Sequence, residues 1–211
     1  MKNIYIYGAG SAGGEIYHWL MDYLQTTNEY QFKGFIGSVN LFNENSELYN
    51  FYLCHEDEMQ FTENDYIVVA VAQNIEHKKK IVKKFKQTKA NFFTLIHPTS
   101  IVKSLNNLGI GTIISPYCVV TYDVIFGDFN FLNCHVTVGH HAKIGDYNTF
   151  NSHCDITGYV QIGNENYFGS GAKMLPKSIL GNNNKIAAGA VIYKKFKDNC
   201  TVTGNPAVNI N

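Results

Sequence analysis

Apolar residues recur at every sixth position from Val102 to Ile192. The series runs through Leu108, Ile114, Val120, Phe126 and Leu132, and on through Phe150, Phe168 and Met174 without a slip. A period of six fits neither the 3.6 of a helix nor the 2 of an ordinary strand. It is the mark of a parallel β-helix, in which each triangular coil has three short flat faces and each face sends one side chain inward. A longer period lies over it. Gly127, Gly145, Gly163 and Gly181 follow one another by eighteen residues, as do Asn130, Asn148, Asn166 and Asn184. Eighteen residues make one coil, so these asparagines should stack about 4.8 Å apart and bond along the stack. The glycines are expected at corners that need positive φ. The fourth residue after each inward one is usually small, as at Cys118, Ala142, Cys154 and Ala172, and lets the corners close.

The pattern before residue 98 is different. Asn3–Tyr7 reads as a strand, followed by a glycine turn and a helix with Ile16, Leu20, Tyr23 and Leu24 on one face. Strands are expected over Tyr30–Ile36, Tyr66–Ala72 and Asn91–Ile96, with a second helix over Ile75–Gln87. Strands alternating with helices predict a Rossmann-like parallel α/β sheet. His97-Pro98 marks the boundary, because the residue before proline avoids helical space. The expected organisation is therefore an α/β domain over 1–97 and a β-helix domain over 98–211. Lys78, Lys79, Lys80, Lys83, Lys84 and Lys86 lie on the second helix and read as a solvated face.

Composition narrows the partners. With 17 basic and 17 acidic residues in 211, the net charge is zero. Neither nucleic acid nor membrane insertion is expected. The longest apolar run, Tyr66–Ala72, is too short to span a bilayer, and Met1-Lys2-Asn3 enters a strand at once without a signal peptide. Five cysteines with no CxxC spacing favour free thiols in a cytoplasmic protein.

Gly8, Gly10 and Gly13 form GxGxxG between a strand and a helix, with Ser11 inside the turn. Such a turn lets a phosphate approach a helix N-terminus. A nicotinamide dinucleotide site would want an acid at the end of the second strand, where this chain has Gly37-Ser38. A nucleotide-sugar diphosphate is the favoured ligand, with a purely structural turn as the alternative. Ser38 and Asn74 join the glycines as candidate substrate contacts.

Taken together, the turn Tyr7–Gly13, the linker Leu95-Ile96-His97-Pro98, the segment Asn133–Gly145 and the tail Thr203–Ala207 resemble the sialic acid O-acetyltransferase type of sugar O-/N-acyltransferases. The resemblance implies left-handed coils, a homotrimer, and direct acetyl transfer from acetyl-CoA to a nucleotide-linked amino-sugar, without a metal. It makes His140, five residues before Gly145, the general base. It places Asn133 near the acceptor sugar and turns the Gly158 N–H toward the thioester. Thr149 falls where relatives carry a second histidine near the acetyl group. Gly169, Ser170, Ala187 and Ala188 would line the acetyl-CoA groove between two prisms, and Lys194, Lys195 and Lys197 read either as contacts to its phosphates or as a solvated charge cluster. One departure stands out. Relatives usually carry Glu or Asp directly after the base, where this chain has His141. Asp123 lies eighteen residues before His141 and should stack beside it, within reach of His141 or His140. Two other readings remain. A trimeric β-helix zinc enzyme of carbonic-anhydrase type would use histidines such as His135 and His140, but residues 98–134 offer no histidine for its further ligand. A β-helix scaffold without catalysis would need none of these residues.

Overall fold

The chain was analysed as a computed structural model that describes residues 1–103 and 107–210. Its contacts divide it into two compact units, Met1–Leu95 and Ile96–Asn211. In the first, β1 (Lys2–Ala9), β2 (Tyr30–Asn40), β3 (Tyr52–Cys54), β4 (Asp65–Val69) and β5 (Asn91–Phe92) form a parallel sheet in the order β3-β2-β1-β4-β5. Two helices, α1 (Ser11–Leu24) and α2 (Ile75–Phe85), complete the crossovers. Ile4, Ile6, Ile36 and Val68 fill the sheet's core, and Ile16 and Leu20 of α1 are buried. The order, with β1 central, places the ends of β1, β2 and β4 around one crevice.

The expected strand over Asn91–Ile96 is in fact two. Asn91–Phe92 pairs with β4, whereas β6 (Leu95–Ile96) heads the longest sheet of the β-helix. The reason is periodic: Ile96 lies six residues before Val102 and packs against the β-helix core. The hexapeptide register thus begins before His97-Pro98.

From Ile113 to Ile192 the chain winds through three faces of two-residue parallel strands, with partners eighteen residues apart, and at the C-terminal end Val208–Asn209 pairs antiparallel with Thr201–Thr203. The faces contain, for example, Phe131–Leu132, Thr137–Val138 and Lys143–Ile144. The inward column is buried from Ile114 to Ile192, and Val102 and Leu108 pack against it half-buried. Phe150 and Phe168 stack in adjacent coils at 4.7 Å and 22°. After Leu180 the spacing shortens, because Ile179 pairs with Lys195 and Lys185 with Thr201. The last coil therefore drops two residues, which is where the six-residue register ends.

The glycines are needed for a different reason from the one expected. Gly127, Gly145, Gly163 and Gly181 are not among the residues with positive φ. A Cβ on Gly145 would lie 2.8 Å from the Gly163 carbonyl oxygen and run into the Asn164 side chain of the next coil. Close stacking excludes the side chain there. The left-handed backbone falls three residues after each inward position, at Asp123, Phe129, His135, His141, Tyr147, His153 and Tyr159, and at Gly171 and Gly189.

Asparagines fill the corner that those glycines open. Asn148 N donates to Asn130 Oδ1, Asn166 N to Asn148 Oδ1 and Asn184 N to Asn166 Oδ1, each at 2.9 Å. Their amides donate to glycine carbonyls, as Asn130 Nδ2 does to Gly127 O and Gly145 O. A second ladder runs the other way. Asp128 N donates to Asp146 Oδ1 at 2.8 Å, Asp146 N to Asn164 Oδ1 at 2.7 Å and Asn182 N to Asp198 Oδ1 at 2.8 Å. The first ladder satisfies buried corner amides coil by coil, and the second ties the exposed side of the same corner.

Lys78 does not lie on a solvated face. It is buried with Ile81, Val82 and Phe85 on the inner side of α2. Among the described residues, no helix is long and apolar enough to cross a membrane.

Two outcomes follow from this packing. Phe168→Ala opens a cavity between stacked rings and should cost about 3–5 kcal/mol in chemical denaturation. Lys78 carries a pH effect, since burial pushes its ammonium down to about 8. Between that value and the ordinary 10.5 the unfolded chain binds more protons, so stability should rise with pH across this window. Lys78→Met should remove the slope and stabilise the chain near neutrality, as urea titrations at about pH 7 and about pH 10 would show.

Candidate functional site

The first unit holds a cleft of about 250 Å³ at the ends of β1, β2 and β4. Tyr7 to Gly13 form one wall, Gly37, Ser38, Val39 and Leu41 a second, and Ala70, Val71 and His77 a third. Gly8 takes φ +113°, and a Cβ on Gly13 would strike the Gly8 carbonyl. The tight turn therefore needs both glycines. Helix α1 starts at Gly10 with no side-chain cap and no acid in its first turn. Its first N–H groups are left to bind an anion at the cleft. Tyr7 OH and His77 Nε2 lie 3.2 Å apart on the wall, and burial pushes the Tyr7 hydroxyl up to about 12. Tyr7 and His77 are cleft residues that sequence reasoning missed. The expected substrate residues Gly8, Gly10, Ser11, Gly13 and Ser38 all line the cleft, and Asn74 does not. Its side chain accepts from His77 N at 2.9 Å and caps α2.

The second unit gathers its candidate chemistry at the corner between the Thr137–Val138 and Lys143–Ile144 strands. His140 is exposed there. Its Nδ1 lies 3.0 Å from His141 Nδ1, with the two rings perpendicular. Asp123 does approach His141, with Oδ2 3.6 Å from His141 Nε2. That is an ion-pair distance and too long for a hydrogen bond. Tyr159, one coil on, stacks on His141 at 4.7 Å and 13° and meets His140 edge-on. Tyr122 meets His141 edge-on from the other side. Tyr159 could have been found from the period, being eighteen residues after His141.

Gly158 lies directly against His140. A Cβ there would sit 2.8 Å from His140 Cε1 and 2.9 Å from Nε2. Only a glycine lets the imidazole rest on the next coil. Among the described residues none accepts the Gly158 N–H.

The other expected residues are not brought to this corner within one chain. Asn133, Gly169, Ser170, Ala187 and Ala188 lie at the neighbouring corner, where Gly169 backs onto the Ala188 amide of the next coil. Asn133 Oδ1 accepts from Cys134 N at 2.8 Å. Thr149 is fully buried, unlike outward residues such as Thr137, Lys143 and Lys185 on comparable strands. It presents no surface to an acetyl group. His135 and His153 stack at 4.9 Å and 4° on that neighbouring corner, with Tyr117 against His135. His135 and His140 thus sit on different corners and do not converge as a chelating pair within one chain. His55, Glu56 and Asp57 bring ligand atoms within 4.8 Å of one another, but Lys84 Nζ already holds both carboxylates at 2.9 and 2.6 Å.

A Rossmann-like unit followed by a left-handed hexapeptide β-helix is the build of the sugar O-/N-acyltransferases that the motifs resemble. Among solved structures, WeeI from Acinetobacter baumannii AYE matches at 22% identity and TM-score 0.84, over 100% of both chains. The acetyltransferase domain of PglB from Neisseria gonorrhoeae FA1090 matches at 25% identity and TM-score 0.83, again over 100% of both chains. A mutant of perosamine N-acetyltransferase from Caulobacter crescentus, in complex with CoA and GDP-perosamine, matches at 18% identity and TM-score 0.85, over 100% of this chain and 98% of that one. No protein-family model matches the chain, and no curated protein matches it by sequence.

The Gly158 contact can be checked directly. Gly158→Ala should leave the β-helix folded, with a melting temperature close to the parent's. It should push the His140 ring off the coil by several tenths of an ångström, visible in a crystal structure and in altered His140 imidazole resonances.

Proposed function

We propose that this protein is an acetyl-CoA-dependent N-acetyltransferase acting on a nucleotide-linked amino-sugar, with His140 as general base. One observation carries this reading: an exposed imidazole, its Nδ1 3.0 Å from His141 Nδ1, rests with its Cε1–Nε2 edge against a glycine whose N–H no described residue accepts. That is a base and an oxyanion donor side by side. His140 Nε2 takes the proton lost by the attacking sugar nitrogen as the N–C bond forms and the C–S bond breaks. The Gly158 N–H stabilises the negative charge that develops on the acyl oxygen. Holding the reactants in order supplies the rest, so no acyl-enzyme is needed. The PglB domain has also been solved in complex with acetyl coenzyme A, at 25% identity to this chain, which supports the choice of donor.

The cleft at Gly8–Gly13 suits the diphosphate of the sugar nucleotide, which the open α1 N-terminus would bind. Val39 and Leu41, both exposed at its mouth, offer an apolar surface to the base. Ser170 and Ala188 are exposed at the second corner, where small residues leave room for the acetyl-CoA pantetheine. Because the His140 corner and the Ser170 corner are separate on one prism, a cleft between neighbouring prisms of a homotrimer is the simplest way to unite them. Exposed Tyr117, Tyr122, Tyr159 and Leu175 supply apolar area for such an interface. Five free cysteines suit action in the cytoplasm.

The test is thiol release from acetyl-CoA against a panel of UDP-, GDP- and dTDP-linked amino-sugars, with the acetylated product identified by mass spectrometry. His140→Ala should lower kcat about 10²–10⁴-fold while light scattering still reports a trimer. Turnover near that of the parent protein, or a monomer with full activity, would overturn the assignment.

A further inference from the structure

We propose that Asp123, acting through His141, fixes the proton on His140 so that Nε2 is the bare nitrogen. The proposal rests on His140 being the base and asks what makes it one. Two nitrogens 3.0 Å apart, His140 Nδ1 and His141 Nδ1, can share only one N–H. If His140 carries it, His140 Nδ1–H donates to His141 Nδ1, His141 carries its own proton on Nε2, and His140 Nε2 is free to take a proton. If His141 carries it, both assignments reverse: His140 bears its proton on Nε2 and cannot act as a base there. The two tautomer chains differ at the far end. In the first, His141 Nε2–H faces the Asp123 carboxylate at 3.6 Å; in the second, a lone pair faces it. An anion favours the first and opposes the second.

The surroundings hold the relay in place. Tyr159 stacks on His141 at 4.7 Å and Tyr122 meets it edge-on at 5.6 Å, so the ring cannot turn freely. The backbone N–H of His141 donates to Tyr122 O at 3.2 Å, and the backbone N–H of Tyr159 donates to His140 O at 2.9 Å. Asp123 and His141 occupy the same left-handed position in successive coils, with φ 54° and 59°, which aligns carboxylate and ring along the stack. During transfer His140 gains one proton at Nε2 and keeps the one on Nδ1. His141 Nδ1 then accepts from the imidazolium, and Asp123 stays ionised. Asp123 and His141 are positioning residues: neither touches the reacting atoms. Both are partly exposed, so solvent limits the effect to that of a surface ion pair.

Long-range ¹H–¹⁵N spectra of uniformly labelled protein read the tautomers directly. The unmodified protein should show His140 protonated on Nδ1 and His141 on Nε2; His140 protonated on Nε2 in the resting enzyme would overturn the proposal without any variant. Asp123→Asn should add the reversed tautomer and lower kcat about two- to fivefold, the size of an exposed ion pair's effect, with KM for acetyl-CoA unchanged. His141→Glu in the Asp123→Asn background places a carboxylate beside His140 Nδ1 and should restore kcat. Unmoved tautomers and rate in Asp123→Asn, with His140→Ala inactive, would sink the relay and leave the base in place. An active His140→Ala would sink the base itself.

Discussion

Coils one strand-spacing apart leave room for almost nothing between them, and the rest of this β-helix follows from that constraint. Every sixth side chain goes inward, and the backbone must turn sharply three residues later. That turn uses left-handed φ at residues such as Asp123, His141 and Tyr159. A single residue in this conformation costs roughly 1–2 kcal/mol. The repeated stack of Phe150 on Phe168 and its neighbours offsets the cost. The same closeness removes the side chain at Gly145 and lets the imidazole of His140 press on Gly158.

Closeness also decides where polar groups go. The inner corner amides of Asn148, Asn166 and Asn184 are away from water, so each needs a partner in the adjacent coil. Asn130, Asn148, Asn166 and Asn184 form one ladder, and Asp128, Asp146, Asn164, Asn182 and Asp198 a second of opposite sense. The ladders tie the coils in register. A slip of one residue would turn the inward column outward and break both sets of bonds at once.

The candidate chemistry uses the same stacking. The corner of one coil supplies His140 and His141, the preceding coil Asp123, and the following coil Gly158 and Tyr159. Groups from three coils meet because eighteen residues of sequence become one short step in space. The other corner, with Asn133, Gly169 and Ala188, is built by the same rule and stays apart on a single chain. The cleft of the first unit obeys different physics: a glycine turn, an uncapped helix start and a central β1 with strands on both sides.

The sequence by itself determined the elements that depend on period. The inward column, the Asn130–Asn184 ladder and the Asp123–His141 juxtaposition were legible because a strict repeat converts position directly into place, and the glycine turn before α1 because its spacing is a local signal of its own. Where a residue's place depends on contacts from elsewhere in the chain, the sequence pointed the wrong way. Lys78 sits among polar neighbours in sequence, yet helix packing buries it. Asn74 caps α2 instead of lining the cleft, and Thr149 is fully buried. Gly127 and its equivalents are required by the backbone of the next coil, not by their own φ. Leu95–Ile96 joined the β-helix because pairing along the longest sheet satisfies its backbone. Each of these was decided by a neighbour distant in sequence, and only the folded chain brings that neighbour near.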